Sequence, residues 1–251
     1  MLFFNRLSSL IYGLKLPFAA FKLITQKKSL LLWSVLPVVI TFVLYWYGIS
    51  ALQDTIKSWL FDFLSQRGMA VDGWWKWLVE FFVNIVLIIA GAMTFAFTST
   101  MLASPFNDLL AEKTEHFVQP ALPPPAKNGG IKHQIRLVGI DLMKSIAATA
   151  AGLTALIMSW IPVVNLFSFM LAFLLICFQY TSYPQTRRGV KLKDGLRFLW
   201  DHLFACAGFG ATVTFLFALP FVSIFALPAA VVGGTLLVAR AKGDSQLKPL
   251  K

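Results

Sequence analysis

Two prolines each stand in the middle of a long uncharged apolar tract, and each is followed three residues later by a small polar side chain. Pro162 precedes Asn165 in one tract, and Pro220 precedes Ser223 in the other. Proline lacks an amide hydrogen and clashes with the preceding turn, so each chain segment folds back there. A second helix then begins inside an apolar environment. Its first amides lack carbonyl partners, and the aligned peptide dipoles leave partial positive charge at that end. Such helix starts hold anions, and transporters place broken helices near the bilayer midplane for this purpose. Two readings stand side by side. In one, the starts at Asn165 and Ser223 hold an anion; in the other, these side chains only cap their own helices. Lys27 and Lys28, just ahead of the first long apolar run, complete a candidate anion-binding set of Lys27, Lys28, Asn165 and Ser223.

Other chemistry finds no footing. The chain has no Walker-type glycine loop, no His-Glu-x-x-His, no nucleophile elbow and no paired carboxylates within an apolar run. A non-enzymatic protein is therefore expected. His116, His133 and His202 fall in polar connections without metal-ligand spacing, and no metal or cofactor is expected. Cys177 and Cys206 lie inside apolar tracts, where cysteine reads as a small packing residue rather than half of a disulfide.

The elements that must position these residues follow from the apolar runs. Tracts 145–183 and 203–239 are each too long for one membrane helix and read as helical hairpins. Their arms are 145–160 with 165–181, and 203–219 with 223–239. Each arm has about 16–17 residues, roughly 24–26 Å against a hydrocarbon core of about 30 Å. That predicts two partly inserted hairpins. Ahead of them, 30–52 and 81–103 are uncharged runs of about 23 residues, long enough to span with some tilt. Pro37 kinks the first run, and Tyr45, Trp46 and Tyr47 form an aromatic belt at its far end. Asn84, Thr94, Thr98, Ser99 and Thr100 add polar atoms to the second, either for helix packing or for a transport path.

Residues 1–25 read as an amphipathic helix. Phe3, Leu7, Leu10, Ile11, Leu14, Phe18 and Phe21 form one face, while Asn5, Ser8, Ser9, Tyr12, Lys15 and Lys22 fall mostly on the other. Such a helix lies in the membrane interface or packs on the rest of the protein. Its apolar residues are periodic and no small-residue cleavage site follows, so no cleavable signal peptide is expected. Segment 53–80 mixes charges with Trp59, Trp74, Trp75 and Trp77, which suits a stretch lying against the interface. Ser104-Pro105 signals a new helix over 105–119, with serine as cap and proline at the first position. Residues 121–130 carry three consecutive prolines and two glycines and form a loop.

The chain of 251 residues has 22 Lys and Arg against 11 Asp and Glu, a net charge of +11, and 58% hydrophobic residues. This is an all-α integral membrane protein with one membrane domain. Its parts are an N-terminal segment 1–29, two spans with an external loop over 30–103, a cytoplasmic helix and loop over 104–144, hairpin 145–183, basic loop 184–202, hairpin 203–239 and basic tail 240–251. In a membrane chain the basic excess sets topology. The expected partners are membrane lipids and an anion, not nucleic acid. Only 53–80 lacks a basic excess, which places it outside and the N- and C-termini in the cytoplasm.

Three stretches resemble the CysZ sulfate permeases within the superfamily that also holds the etoposide-induced proteins. Residues 103–112 resemble that family's A-P-F-N-x-L-L-A-E with one residue inserted, bringing in Pro105, Phe106, Asn107 and Glu112. Residues 179–184 resemble Q-Y-x-D-Y-P through Gln179, Tyr180, Tyr183 and Pro184, with Ser182 in place of aspartate. Residues 219–225 and 228–235 resemble P-x-x-N-x-x-x-x-P-x-A-x-x-G-A-T. The resemblance implies a bacterial inner-membrane protein of two long spans and two partly inserted hairpins. It also implies assembly as a homo-oligomer and sulfate uptake for cysteine biosynthesis. The family's G-[LI]-R-R motif before the first span is replaced here by Gln26-Lys27-Lys28-Ser29. The lysines supply charge without the planar paired donors of arginine, so that sulfate site does not carry over residue by residue. A sulfate or oxyanion transporter or channel is the expected function. The alternatives are a non-transporting membrane scaffold of the same superfamily and, with less behind it, an amphipathic lipid-handling protein.

Overall fold

A computed structural model describes residues 2–66, 74–120, 131–162, 164–219 and 222–243, and these are almost entirely helical. In chain order the helices are α1 (Leu2–Gln26), α2 (Lys28–Gln66), α3 (Trp74–Val118), α4 (Ile131–Met158), α5 (Asn165–Arg187), α6 (Leu192–Asp201), α7 (Leu203–Ala218) and α8 (Val222–Gly243). Among the described residues, three of them, over Arg6–Gln26, Ile135–Met158 and Asn165–Arg187, have segments long and apolar enough to cross a membrane. The pair α6 and α7 passes the same test together, with a bend of 95° between them.

The helices divide between two units. One holds residues up to Ser34 and from Asn107 onward; the other is Val35–Phe106. The second unit consists of most of α2 and α3, whose full lengths of 39 and 45 residues extend about 58 and 68 Å. Its described side chains are largely outward-facing apolar groups such as Phe42, Trp46, Phe82 and Val86. Aromatic neighbours one turn apart stack along it, Phe42 with Trp46 and Trp77 with Phe81. Helix α2 runs on to Gln66 and α3 begins at Trp74. The expected interfacial segment 53–80 is thus mostly the ends of two helices. Its Arg67 and Asp72 lie outside the described residues, as do loop 121–130 and the tail residues 244–251.

The first unit is built around α8. From Pro228 to Ala239 every residue of α8 is buried, covered by α1, α5 and α7. Small residues let these backbones meet. A Cβ on Gly13 of α1 would come within 2.1 Å of the Ala205 carbonyl oxygen of α7. One on Gly208 of α7 would come within 2.4 Å of the Leu10 carbonyl oxygen. Helices in lipid gain nothing from burying apolar surface against each other, so close backbone approach through small residues takes over. Thr212 Oγ1 adds a hydrogen bond donated across this contact to the Leu14 carbonyl, at 3.1 Å.

Helix α1 is packed on the protein, but not by the face that its periodicity suggested. Tyr12, Leu16, Ala20 and Ile24 are buried, while Leu7, Ile11, Leu14, Phe18 and Phe21 point outward. The large apolar ridge faces a lipid-like exterior and the slimmer face meets α7 and α8. Tyr12, read as polar-face, is part of the core.

Both hairpins form. The second has a 16-residue first arm, α7, of about 24 Å, and its return arm α8 begins at Val222. Pro220 and Phe221 of its turn lie outside the described residues. The first hairpin extends beyond its apolar tract: α4 has 28 residues and α5 has 23, both with segments of crossing length. Length therefore separates the two hairpins: among the described residues, α7 and the apolar stretch Phe225–Ala241 of α8 both stay short of a crossing segment. The tip of the first hairpin is strongly apolar on its outside, with Trp160 86%, Leu166 75% and Phe167 65% exposed.

Two sequence expectations about helix ends fail. No helix begins at Ser104, because α3 runs through Pro105 without a break. Loop 184–202 is not a loop: α5 continues past Pro184 to Arg187, and α6 occupies Leu192–Asp201. Between them Gly189 takes φ +69°, a left-handed conformation that suits glycine, and its amide donates to the Thr186 carbonyl at 2.8 Å. This turn ends α5 and sends the chain off into α6.

Candidate functional site

The C-terminal part of α3 presents acids on one stripe. Asp108, Glu112 and Glu115 are spaced four and three residues apart, which places them on one helix face. The same part of α3 buries Leu110, Ala111 and Thr114, so the helix is held against the core. Opposite it, α5 ends in Arg187 and Arg188. Arg187 Nη2 lies 2.8 Å from Glu112 Oε2, its Nε lies 3.5 Å from Asp108 Oδ1, and its Nη1 donates to the Asp108 carbonyl at 3.2 Å. Arg188 Nε donates to Glu115 Oε1. Burial pushes the Asp108 carboxyl above its ordinary pKa. The attraction of Arg187 opposes this, and Glu112 and Asp141 add to the rise.

The residues of two family-like motifs meet here. Asn107 Nδ2 reaches Tyr183 Oη at 3.5 Å, and Glu112 joins Arg187, which stands three residues after the end of the second motif. Tyr180 and Pro184 are buried, Tyr183 is half-buried and Gln179 is exposed. Pro105 is exposed and Phe106 half-buried, both within the other unit. The structural role of Arg187 and Arg188 was not read from the sequence, where they counted only as topology charges. The signal was present in the matching of an Arg-Arg pair by three acids on one stripe of α3.

Among the described residues no hydrogen bond or ion pair gathers Lys27, Lys28 and Asn165. Lys27 is the single residue between α1 and α2. It is exposed, with its ammonium 5.6 Å from the Phe117 ring centroid, and Lys28 opens α2 and is also exposed. Asn165 does not cap α5. Val164 is the cap residue, without a side-chain bond, and Asn165 is the first helical residue. The amides of Asn165, Phe167 and Ser168 are already taken by the carbonyls of Ile161 and Val164, at 2.9, 3.0 and 3.2 Å. The turn supplies backbone acceptors where a side-chain cap was expected, and fewer bare amides remain. Ser223 is the second residue of α8, one position inside the helix and not ahead of it; its side chain lies outside the described residues. Cys177 and Cys206 are both free and fully buried in the core. Among the described residues no group of three His, Cys, Asp or Glu stands together in a way that holds a metal ion.

An all-α membrane protein emerges, with two long helices, two helical hairpins and an ion-paired junction tying α3 to the end of the first hairpin. The chain belongs to the family described as sulfate transporter CysZ/etoposide-induced protein 2.4, which it matches over residues 16–228. It is 28% identical over 229 residues to the sulfate transporter CysZ of Pseudomonas paraeruginosa (strain DSM 24068 / PA7), covering 88% of this chain and 92% of that protein. It is 30% identical over 172 residues to the sulfate transporter CysZ of Pseudomonas aeruginosa (strain LESB58), covering 66% and 70% respectively. Similarity extends to the sulfate transporter CysZ of Vibrio cholerae serotype O1 (strain M66-2), 23% identical over 207 residues and covering 80% and 82%.

Proposed function

We propose that this protein is a transporter or channel of the inner membrane that carries sulfate or a related oxyanion. The observation that supports it most is the match to curated sulfate transporters along nearly their whole length. The relatives' names speak for transport and give no weight to a scaffold. The charge balance fits the same reading. A basic excess on the cytoplasmic side, with both termini there, raises the local concentration of anions at the entrance. Lys27 and Lys28 are exposed to meet them. Asn165 enters through its carboxamide, which is not committed to capping, and Ser223 through the start of α8. The proposed assembly is a homo-oligomer, as sulfate permeases of this kind are expected to form.

The test is flux of labelled sulfate into proteoliposomes holding the purified protein. Uptake above empty vesicles is expected, with a fall of several-fold in an Asn165→Leu, Ser223→Leu double variant. Uptake no greater than in empty vesicles overturns the transport reading. Uptake unchanged in the double variant removes those two residues from the path.

A further inference from the structure

Lys144 of α4 is only 2% exposed. Its ammonium donates to Thr186 Oγ1 at 3.1 Å, and among the described residues no carboxylate forms an ion pair with it. Asp141, one turn earlier on the same helix, is exposed and forms no ion pair with Lys144, though its charge acts on the ammonium. The next two residues after Thr186 are provided for differently, since Arg187 has Asp108 and Glu112 and Arg188 has Glu115. The acids of α3 are spent on the arginines. Lys144 is left with one neutral partner for three N–H donors.

A second polar group is stranded beside it. Gln185 is 3% exposed, and its Oε1 is buried without a hydrogen-bond partner. The oxygen and nitrogen of a carboxamide exchange places by a half-turn, so an NH2 donor reaches the same spot. Gly195 of α6 closes this region. A Cβ there would lie 3.0 Å from Gln185 Oε1 and 3.8 Å from Lys144 Cε. Any larger residue at 195 would intrude on both groups.

A buried ammonium with no carboxylate in contact is costly, and so is a buried amide group without a partner. With the carboxamide turned so that its NH2 faces this spot, a small anion there neutralises the ammonium and accepts from that NH2. We infer that Lys144, Gln185 and Thr186 form an oxyanion-binding site where α4, α5 and α6 meet. Lys144 supplies the charge. Thr186 accepts a hydrogen bond from Lys144 and donates its own hydroxyl hydrogen to the anion, and Gln185 donates from its NH2. The site takes a tetrahedral oxyanion, either free sulfate or the phosphate of a lipid headgroup. The choice of sulfate rests on the transport reading; the existence of the site does not.

The experiment uses the purified full chain in a neutral detergent, free of lipid. Binding of labelled sulfate is measured for the natural protein and for Lys144→Met, Gln185→Leu, Gly195→Ala and a Lys27→Met, Lys28→Met double variant. Thermal stabilisation is measured in parallel for the natural protein and Lys144→Met, in vesicles of phosphatidylglycerol and of phosphatidylcholine. Saturable sulfate binding is expected, weakened at least tenfold in Lys144→Met and Gly195→Ala and retained in the Lys27, Lys28 variant. If Lys144→Met does not fold, Gly195→Ala and Gln185→Leu carry the test with the ammonium still in place. Stabilisation by phosphatidylglycerol alone, lost in Lys144→Met, supports the site with a lipid phosphate as its ligand and counts against sulfate. Sulfate binding that is unchanged in all three single variants overturns the proposal. So does the absence of any response to both sulfate and phosphatidylglycerol. Sulfate flux without binding at Lys144 would sink this site and leave the transport reading standing.

Discussion

Replacing Gly210 with alanine tests the packing of the hairpin helices most directly. The added methyl would sit 1.8 Å from the carbonyl oxygen of Phe173 and 2.6 Å from its carbon. Both neighbours are backbone, so no side chain can swing away. To bring the oxygen contact out to 3.0 Å, α5 and α7 must part by more than 1 Å. Overpacking of this kind costs about 1–3 kcal/mol, and the gain in helix propensity of alanine over glycine returns about 1 kcal/mol. The net loss is therefore about 0–2 kcal/mol, or up to roughly 8 °C in melting temperature for a chain of this size. Gly152→Ala is the control, because a Cβ there meets nothing within 4 Å. It keeps the propensity gain without the clash and is expected to melt at or slightly above the natural protein. Thermal unfolding in detergent, followed by size-exclusion fluorescence, reads both. If Gly210→Ala melts no lower than Gly152→Ala, the close approach of α5 and α7 is wrong.

Arg187→Ala should cost about 1–3 kcal/mol, because it removes the ion pair to Glu112 and leaves the Asp108 carbonyl without its guanidinium donor. Arg187→Lys should recover part of this loss, since it keeps the charge but not the forked donors; equal melting of the two variants would argue against the geometry. Asp108 is held above its ordinary pKa, so the fold binds that proton more tightly than the unfolded chain does. Its contribution to stability is present at acid pH and is lost as pH rises through the raised value. Asp108→Asn should accordingly flatten the melting-temperature profile between acid and neutral pH, and a steeper profile would contradict the assigned shift. Cys177 and Cys206 are fully buried, so a membrane-permeant maleimide should label neither until the protein is denatured; rapid labelling of the folded protein, read by mass spectrometry, would refute their placement.

The hairpins were legible because apolar run length and the prolines at 162 and 220 act locally. Their first arms end as expected, at Met158 and Ala218, to within about two residues. What escaped was governed by the surroundings. Pro17, Pro37, Pro105, Pro184 and Pro228 all sit inside helices. In water a proline such as Pro105 signals a helix boundary, read here as the start of a new helix. In lipid the remaining backbone bonds have no solvent competitor, so the helix continues past it. The inner face of α1 escaped for a related reason. Where the exterior is as apolar as the core, hydrophobic periodicity does not say which face is buried. The size of Gly13, Leu16 and Ala20 against Phe18 and Phe21 does. The family-like motifs were readable as strings, but their junction through Asn107, Tyr183, Glu112 and Arg187 depends on a tertiary contact more than 70 residues apart in the chain.

The outward-facing Trp160, Leu166 and Phe167 at the bend between α4 and α5 bear on where this protein can live. A bend so greasy is expelled by water and sinks until acyl chains surround it, while the charged roots of the same helices stay with the headgroups. The hairpin, with arms of crossing length, is thereby held at its charged roots while its bend seeks the acyl chains. Thinning the bilayer would lift its tip toward the opposite surface and load the ionic clasp at Arg187, so the lipid thickness of the host membrane becomes one of the protein's own structural parameters.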